Sequence, residues 1–269
     1  MITFEHVGMT FPDGTVAVED FSLSVAQHQT VVLLGSSGCG KTTLLQMVNR
    51  MVDPTAGRVL VDGQDVSGVD PVRLRRRIGY VMQNAGLLPH RTVLDNVLTV
   101  PRLAGRTTGE QTNRAHGLLE MVGLNSALAR RYPAQLSGGQ RQRVGVARAL
   151  AADPDILLMD EPFSAVDPVV RADLQAELLR IQRELAKTIL FITHDVDEAV
   201  LLGDQVLVLQ AGAHVAQRGT GEEILLNPAN EFVRGFVGGD RRRLHVEDRA
   251  GTATVVDASG RVAGTLVDP

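Results

Sequence analysis

The run Val31-Val32-Leu33-Leu34 passes directly into Gly35-Ser36-Ser37-Gly38-Cys39-Gly40-Lys41-Thr42-Thr43, and this junction constrains the fold more than any other feature of the chain. The apolar run predicts a buried strand. Leu44, Leu45, Met47, Val48 and Met51 predict a helix with one apolar face immediately after the glycines. A strand, a glycine-rich loop and a helix in this order make a phosphate-binding loop. Glycines let the backbone curl so that successive N–H groups point inward. A helix beginning near Gly40 adds the positive end of its dipole. Lys41 is suited to neutralising outer phosphates, and the Thr42 hydroxyl to ligating Mg²⁺. The alternative is a glycine-rich turn that binds nothing; strand, spacing, Lys41 and Thr42 together weigh against it. The implied ligand is a nucleoside triphosphate.

At 269 residues the chain makes one large domain, or one domain with a small appendage. A formal net charge of -4 argues against a nucleic-acid binder, which carries a basic excess. The one cysteine excludes an internal disulfide framework and suits a reducing compartment. Met1–His6 lacks a charged-then-apolar leader pattern, and no apolar run approaches the length of a membrane span. Work at a membrane therefore goes through a partner.

Residues 2–7 and 21–26 read as strands, and Asp62-Gly63 after Val59-Leu60-Val61 signals a hairpin turn. Ile78–Met82 reads as a short strand ending at Gln83, and residues 84–150 as helices and loops. Strand-like runs return at Ile156–Met159, Ile189–Thr193 and Val206–Leu209. Between the first two, Leu174, Leu178, Ile181 and Leu185 lie at helical spacing behind Pro168. Strands alternating with helices predict an α/β fold with a parallel sheet covered on both faces, in which 84–150 is a helical insertion.

Ligands in such sheets sit beyond the carboxyl ends of strands, and three of these runs end in reactive groups. Ile156–Met159 ends in Asp160-Glu161. Asp160 is placed to hold Mg²⁺ and Glu161 to polarise an attacking water as general base; a solvated strand end is the plainer reading, and the phosphate loop in the same chain tips the balance. Ile189–Thr193 ends in His194, either a structural histidine or a group that reaches the terminal phosphate. The amide of Gln83 ligates Mg²⁺, orients water, or is an ordinary surface group. Upstream, Leu136-Ser137-Gly138-Gly139-Gln140 leads into a helix running from about Gln140 to Ala152. This is either a second anion site at a helix N-terminus or an ordinary capped helix.

The phosphate loop at 35–43, Gln83, the Ser137–Gln140 signature, Asp160-Glu161, Ser164-Ala165-Val166-Asp167 and His194 together resemble the ATP-binding subunits of ABC transporters, over about residues 1–238. The resemblance implies a P-loop NTPase of ABC type: a RecA-like core, an N-terminal antiparallel β-subdomain and an inserted α-helical subdomain at about 84–150. It implies that two copies pair head to tail as a homodimer. Each ATP, with Mg²⁺, is then gripped by Gly35–Thr43 of one chain and by Ser137, Gly138, Gly139 and Gln140 of the other. The loop at 164–167 would communicate across that dimer. Phe11 matches the aromatic residue that stacks on adenine, a position more often Tyr, and Val166 departs from the commoner Leu. Integral membrane permease subunits would be the direct partners and an extracytoplasmic solute-binding protein an indirect one, placing the chain at the cytoplasmic face of the membrane. Residues Gln83–Thr92 would meet the permease; Leu87, Leu88 and Pro89 there form either that contact or local core.

Met47–Gly57 and Gly86–His90 look like the importer subfamily for glycine betaine, choline, carnitine and related osmoprotectants. An importer for another small solute, of amino-acid type, and a soluble non-transport ABC ATPase are the alternatives. In the tail, 239–269, Thr254–Leu266 resembles part of a CBS module, with a plain β-hairpin as the alternative. Arg241-Arg242-Arg243 reads as a solvated linker or a contact with anionic lipid.

Overall fold

The computed structural model describes residues 1–106, 108–164, 166–239, 244–249, 252–257 and 260–265. Two long strands open the chain, β1 (Ile2–Thr10) and β2 (Val16–Val25), paired antiparallel. They are followed by β3 (Thr30–Gly35) and α1 (Lys41–Val48), then β4 (Ala56–Val61) and the short β5 (Gln64–Asp65). The Asp62-Gly63 turn forms as expected, with φ of 52° and 75°, the two positive values a tight hairpin turn needs. Next come α2 (Pro71–Arg77) and β6 (Ile78–Val81). The stretch predicted to lack strands holds α3 (Val93–Val97), α4 (Thr99–Leu103), α5 (Gly109–Met121) and α6 (Gly138–Leu150). The chain then alternates through β7 (Ile156–Asp160), α7 (Pro168–Leu185), β8 (Thr188–Thr193), α8 (Val196–Leu202) and β9 (Gln205–Leu209). It continues with β10 (Val215–Gly219), α9 (Gly221–Leu226), α10 (Glu231–Phe236), β11 (Leu244–Arg249), β12 (Thr252–Asp257) and β13 (Val262–Thr265).

The central sheet runs β10-β9-β3-β8-β7-β6. Five strands are parallel, and β10 is antiparallel to β9. This edge strand escapes the sequence reading. Val215-Ala216-Gln217-Arg218-Gly219 carries little apolar pattern, and it forms because Gly212, at φ 72°, lets the chain double back.

Alternate residues of the buried strands point to two separate cores. Val32, Leu34, Leu157, Met159, Ile189 and Phe191 join the side covered by helices, where Leu174, Leu178 and Ile181 of α7 pack. Val31, Leu33, Leu158, Leu190 and Ile192 join a core shared with α1 and the antiparallel sheet β2-β1-β4-β5. Both faces are covered, as expected, but one of them mainly by a second sheet. The cause lies in the first third of the chain. Ile2, Phe4 and Phe21 give that sheet one apolar face, which packs only against another buried surface, and Phe4 meets Phe21 edge-on with ring centroids 5.4 Å apart.

Among its described residues the tail forms a three-stranded antiparallel sheet, β11-β12-β13, one strand more than a hairpin. Arg241–Arg243, Ala258, Ser259 and Leu266 lie outside the described residues, as does Ala165 in the 164–167 loop. Among the described residues no helix is long and apolar enough to cross a membrane.

Candidate functional site

Strand β3 is buried along its whole length and delivers Gly35 to the end of the sheet. A Cβ on Gly35 would lie 2.7 Å from the Leu209 carbonyl oxygen and 2.8 Å from Cys39 Sγ. Gly38 and Gly40 adopt φ of 80° and 105°, backbone that only glycine takes without strain. Ala17 of β2 and Ala213 press on the loop from outside: a Cβ on Gly40 would meet the Ala17 carbonyl oxygen at 2.4 Å, and the Ala213 N–H donates to the Cys39 carbonyl at 2.8 Å. Gly40 caps α1 with no side-chain hydrogen bond. The N-terminus of α1 thus has no side-chain cap, and the positive end of its dipole lies at the loop. Ser36, Ser37, Gly38 and Thr42 are exposed, Thr43 half-buried and Cys39 buried. Lys41 is 4% exposed, and its Nζ donates to the carbonyl oxygens of Gly35, at 2.7 Å, and Ser36, at 2.8 Å.

Asp160, at the end of β7, accepts from the Thr42 hydroxyl at 3.2 Å and from the Tyr80 hydroxyl at 3.4 Å. Burial raises the Asp160 carboxyl above the usual range against the lowering influence of Thr42, and the neighbouring Glu161 charge adds to the rise. Burial and the Asp160 charge likewise raise the Tyr80 hydroxyl, which keeps its proton and stays a donor. A carboxyl that binds its proton more tightly folded than unfolded weakens the fold once it ionises. Stability from Asp160 is present at low pH and lost as the pH rises through its raised value. Asp160→Asn is therefore expected to raise the Tm of the ligand-free chain more at pH 7 than at pH 4.5, measured by calorimetry at both.

Glu161 follows with φ 43°, in the left-handed region that side chains avoid. Strain of this kind is of order 1–3 kcal/mol and gathers at functional sites. The surroundings enforce it: the Glu161 N–H donates to the Ile192 carbonyl at 3.0 Å, and the Glu161 carbonyl accepts the Ser164 hydroxyl at 3.0 Å. The turn aims the Glu161 carboxylate at His194, whose Nδ1 lies 3.0 Å from Oε2. Gln83 Nε2 donates to Ser164 Oγ at 3.1 Å. Gln83, Glu161 and His194, predicted from three separate strand ends, thus join one cluster, Gln83 through Ser164 and His194 directly on Glu161, and Thr42 and Asp160 pair beside it.

The Ser137–Gln140 segment stands apart from that cluster. Ser137 Oγ accepts the Gln140 N–H at 3.2 Å, and the Gln140 side-chain oxygen accepts the Ser137 N–H at 3.0 Å, a reciprocal capping box. The helix accordingly begins at Gly138, two residues before the expected start. Gly139 packs against Val170 and Val166, where a Cβ would come within 2.4 Å of Val170. Ser137 and Gly138 face solvent. Phe11 is half-buried in the loop between β1 and β2, and its N–H donates to the Thr15 carbonyl at 2.9 Å.

A family profile described as ABC transporter matches residues 18–164. The glycine betaine uptake system ATP-binding protein YehX of Escherichia coli (strain K12) is 47% identical over 238 residues, 88% of this chain and 77% of YehX. The chain belongs to the ABC transporter family. The choline transport ATP-binding protein OpuBA of Bacillus subtilis (strain 168) is 47% identical over 241 residues, 90% of this chain. The cassette spans 63% of OpuBA's own length. The dimeric structure of a post-hydrolysis state of the ATP-binding cassette MJ0796 bound to ADP and Pi superimposes with a TM-score of 0.74 at 33% identity, covering 82% of this chain and 98% of that one. The α/β architecture with its mixed sheet and antiparallel β-subdomain is that of an ABC ATPase cassette.

The donor set of the cassette fits magnesium. The Thr42 hydroxyl and Asp160 carboxylate are hard oxygen ligands 3.2 Å apart, beside the loop and open to it. Among the described residues no group of three or more His, Cys, Asp or Glu could hold a metal, and Mg²⁺ asks for only one or two carboxylates besides phosphate and water. A cleft of about 560 Å³, lined by Arg73, Arg76, Arg77 and Arg106, lies at the opposite strand ends, beside Ile78 and Ile156, and holds none of these residues.

Tyr80, Ala17 and Ala213 escape the sequence reading. Tyr80 carries a faint signal, since a tyrosine in a buried strand needs a polar partner for its hydroxyl. The two alanines carry none, because they act on Gly40 and Cys39 mainly through main-chain atoms, which every residue type has.

Proposed function

We propose that this cassette is the ATP-binding and ATP-hydrolysing subunit of an importer for an osmoprotectant such as glycine betaine, choline or carnitine. The observation that carries the reading is the polar cluster Gln83–Ser164–Glu161–His194 beside Thr42–Asp160 at the mouth of the phosphate loop. Its solute class is supported by the 47% identity to OpuBA and YehX.

On this reading residues 1–238 are the ATPase unit and 239–269 a short C-terminal tail that resembles part of a CBS module. ATP binds with its phosphates against Gly35–Thr43 and its adenine on Phe11. Lys41 exchanges the carbonyl oxygens of Gly35 and Ser36 for phosphate oxygens. Thr42, Asp160 and Gln83 hold Mg²⁺, which neutralises charge on the outer phosphates when bound. Glu161 accepts a proton from the attacking water as its oxygen bonds to the terminal phosphorus; the bond from that phosphorus to the bridging oxygen breaks, and ADP departs. His194, held on Glu161, contacts the terminal phosphate.

The exposed Ser137-Gly138 turn of a second copy completes the pocket, and ATP favours the closed homodimer until hydrolysis removes the shared charge. A permease that meets Gln83–Thr92 at the cytoplasmic face of the membrane converts closure into solute movement, receiving solute from an extracytoplasmic binding protein. Leu87 and Leu88 are half-buried and Pro89 exposed, which leaves the segment partly open to such a partner. Nucleic acid has no part in this cycle.

Ser137→Arg tests the shared pocket. The variant is expected to abolish steady-state ATP hydrolysis while leaving ATP binding to the single chain unchanged, measured by phosphate release and equilibrium dialysis. Equal loss of both would mean that Ser137 acts within its own chain. Uptake of labelled glycine betaine, choline and unrelated solutes in cells with and without the chain tests the solute class.

A further inference from the structure

Beside the hydrolytic cluster a guanidinium on α7 joins the 164–167 loop to the start of α8. Arg171, in the first turn of α7, donates from Nη1 to Asp195 Oδ2 at 3.3 Å and from Nη2 to the Val166 carbonyl at 3.5 Å. Its Nε faces Glu198 Oε1 at 3.9 Å, is buried, and makes no hydrogen bond. Glu198, on α8, is 3% exposed; it accepts the Thr193 hydroxyl at 2.6 Å and the Gln175 amide at 3.4 Å. A buried carboxylate persists only where it is paired or hydrogen-bonded, so Glu198 seats Arg171 as much as Arg171 neutralises Glu198.

The connections close a circuit. Val166 lies two residues from Ser164, whose hydroxyl bonds the Glu161 carbonyl. Asp195 adjoins His194, whose ring bonds the Glu161 side chain. Asp195 also caps α8 through the N–H groups of Asp197 and Glu198, so it is fixed from its other side. Each arm of Arg171 is longer than a charge-assisted hydrogen bond at its best, about 2.7–2.9 Å. A small advance of the 164–167 loop shortens the Val166 arm, and the rigid guanidinium passes that shift to Asp195 and Glu198.

We propose that Arg171, seated on Glu198, is a positioning residue that ties the 164–167 loop to His194 and Glu161, so that docking of a second copy of the chain against this loop sets the hydrolytic geometry. The inference rests on the shared-nucleotide dimer proposed above. Arg171 touches neither water nor phosphate in this scheme; it acts on where Glu161 and His194 stand.

The test uses the full chain with Arg171→Met, Arg171→Lys and Glu198→Gln. The readouts are kcat and KM for MgATP, ATP affinity by equilibrium dialysis, and thermal unfolding. Arg171→Met is expected to lower kcat by about 10²-fold, the penalty of a misplacement near 1 Å, with KM and ATP affinity unchanged. Arg171→Lys is expected to restore part of kcat, because one ammonium reaches Asp195 or the Val166 carbonyl but not both. Parent-like kcat in Arg171→Met overturns the proposal, as does a loss shared equally between kcat and ATP affinity. Should Arg171→Met fail to fold, Glu198→Gln decides. It keeps the shape and a bond to Thr193 while removing the charge under Arg171, and a kcat-selective loss supports the proposal where an unchanged kcat overturns it. A parent chain that turns over no ATP removes the dimer reading and this inference together. An active parent with an indifferent Arg171→Met removes the inference alone.

Discussion

Glu161→Gln is expected to lower kcat by about 10²–10⁴, the loss that follows removal of a general base, while ATP still binds and the nucleotide-bound dimer accumulates. The reasoning is geometric. Glutamine keeps the volume of the side chain and a carbonyl oxygen for His194, so the 3.0 Å contact with Nδ1 survives. The backbone bonds that hold φ at 43° involve only main-chain atoms of residue 161 and are untouched. What disappears is the ability to take a proton from water. ATP binding should persist, because the phosphate loop and the Thr42–Asp160 pair are unaltered. The checks are steady-state phosphate release and size-exclusion chromatography with MgATP. A variant that hydrolyses at the parental rate would place the base elsewhere; one that neither binds nor dimerises would assign Glu161 to structure.

Gly40→Ala is expected to weaken ATP binding by on the order of 10²-fold or more and to lower the Tm. Two penalties act together. A residue with a Cβ pays about 1–3 kcal/mol for so unusual a φ as 105°. The new methyl also stands 2.4 Å from the Ala17 carbonyl oxygen and 3.2 Å from the Ala213 Cβ, so β2 or the loop must give way. Each 1.4 kcal/mol lost from the binding-competent loop is tenfold in affinity. Gly38→Ala is the control: φ is 80° and nothing lies within 4 Å of its Cβ, so it carries strain without collision and should be the milder change. Equilibrium dialysis and thermal unfolding of the two variants measure the difference. Equal effects would show that strain, and not the packing of Ala17 and Ala213, dominates at the loop.

The parts of the site legible in the sequence are those whose chemistry is local. The loop 35–43 declares itself through glycines that must curl and a lysine that must follow them. Asp160 and His194 stand out because each ends an apolar strand, and in a parallel sheet such ends share one edge. That Gln83 meets Glu161 through Ser164, and His194 meets Glu161 directly, needed the β6-β7-β8 adjacency, which no single segment encodes. Tyr80, Arg171 and Glu198 were missed because they have partners 80, 24 and 23 residues away and each residue type is ordinary where it stands.

By itself the sequence determined the strand-loop-helix, the alternation of strands and helices after residue 156, the helical stretch before it and the hairpin at Asp62-Gly63. Each follows from propensity, periodicity or turn chemistry acting over a few residues. Only the tertiary structure decided that one face of the central sheet is covered mainly by a second, antiparallel sheet, that β10 joins its edge, and that Ala17 and Ala213 confine Gly40. Those outcomes depend on which apolar faces find each other. The same alternating strand can bury its face against helices or against another sheet, and the choice is made by the shape of the whole chain.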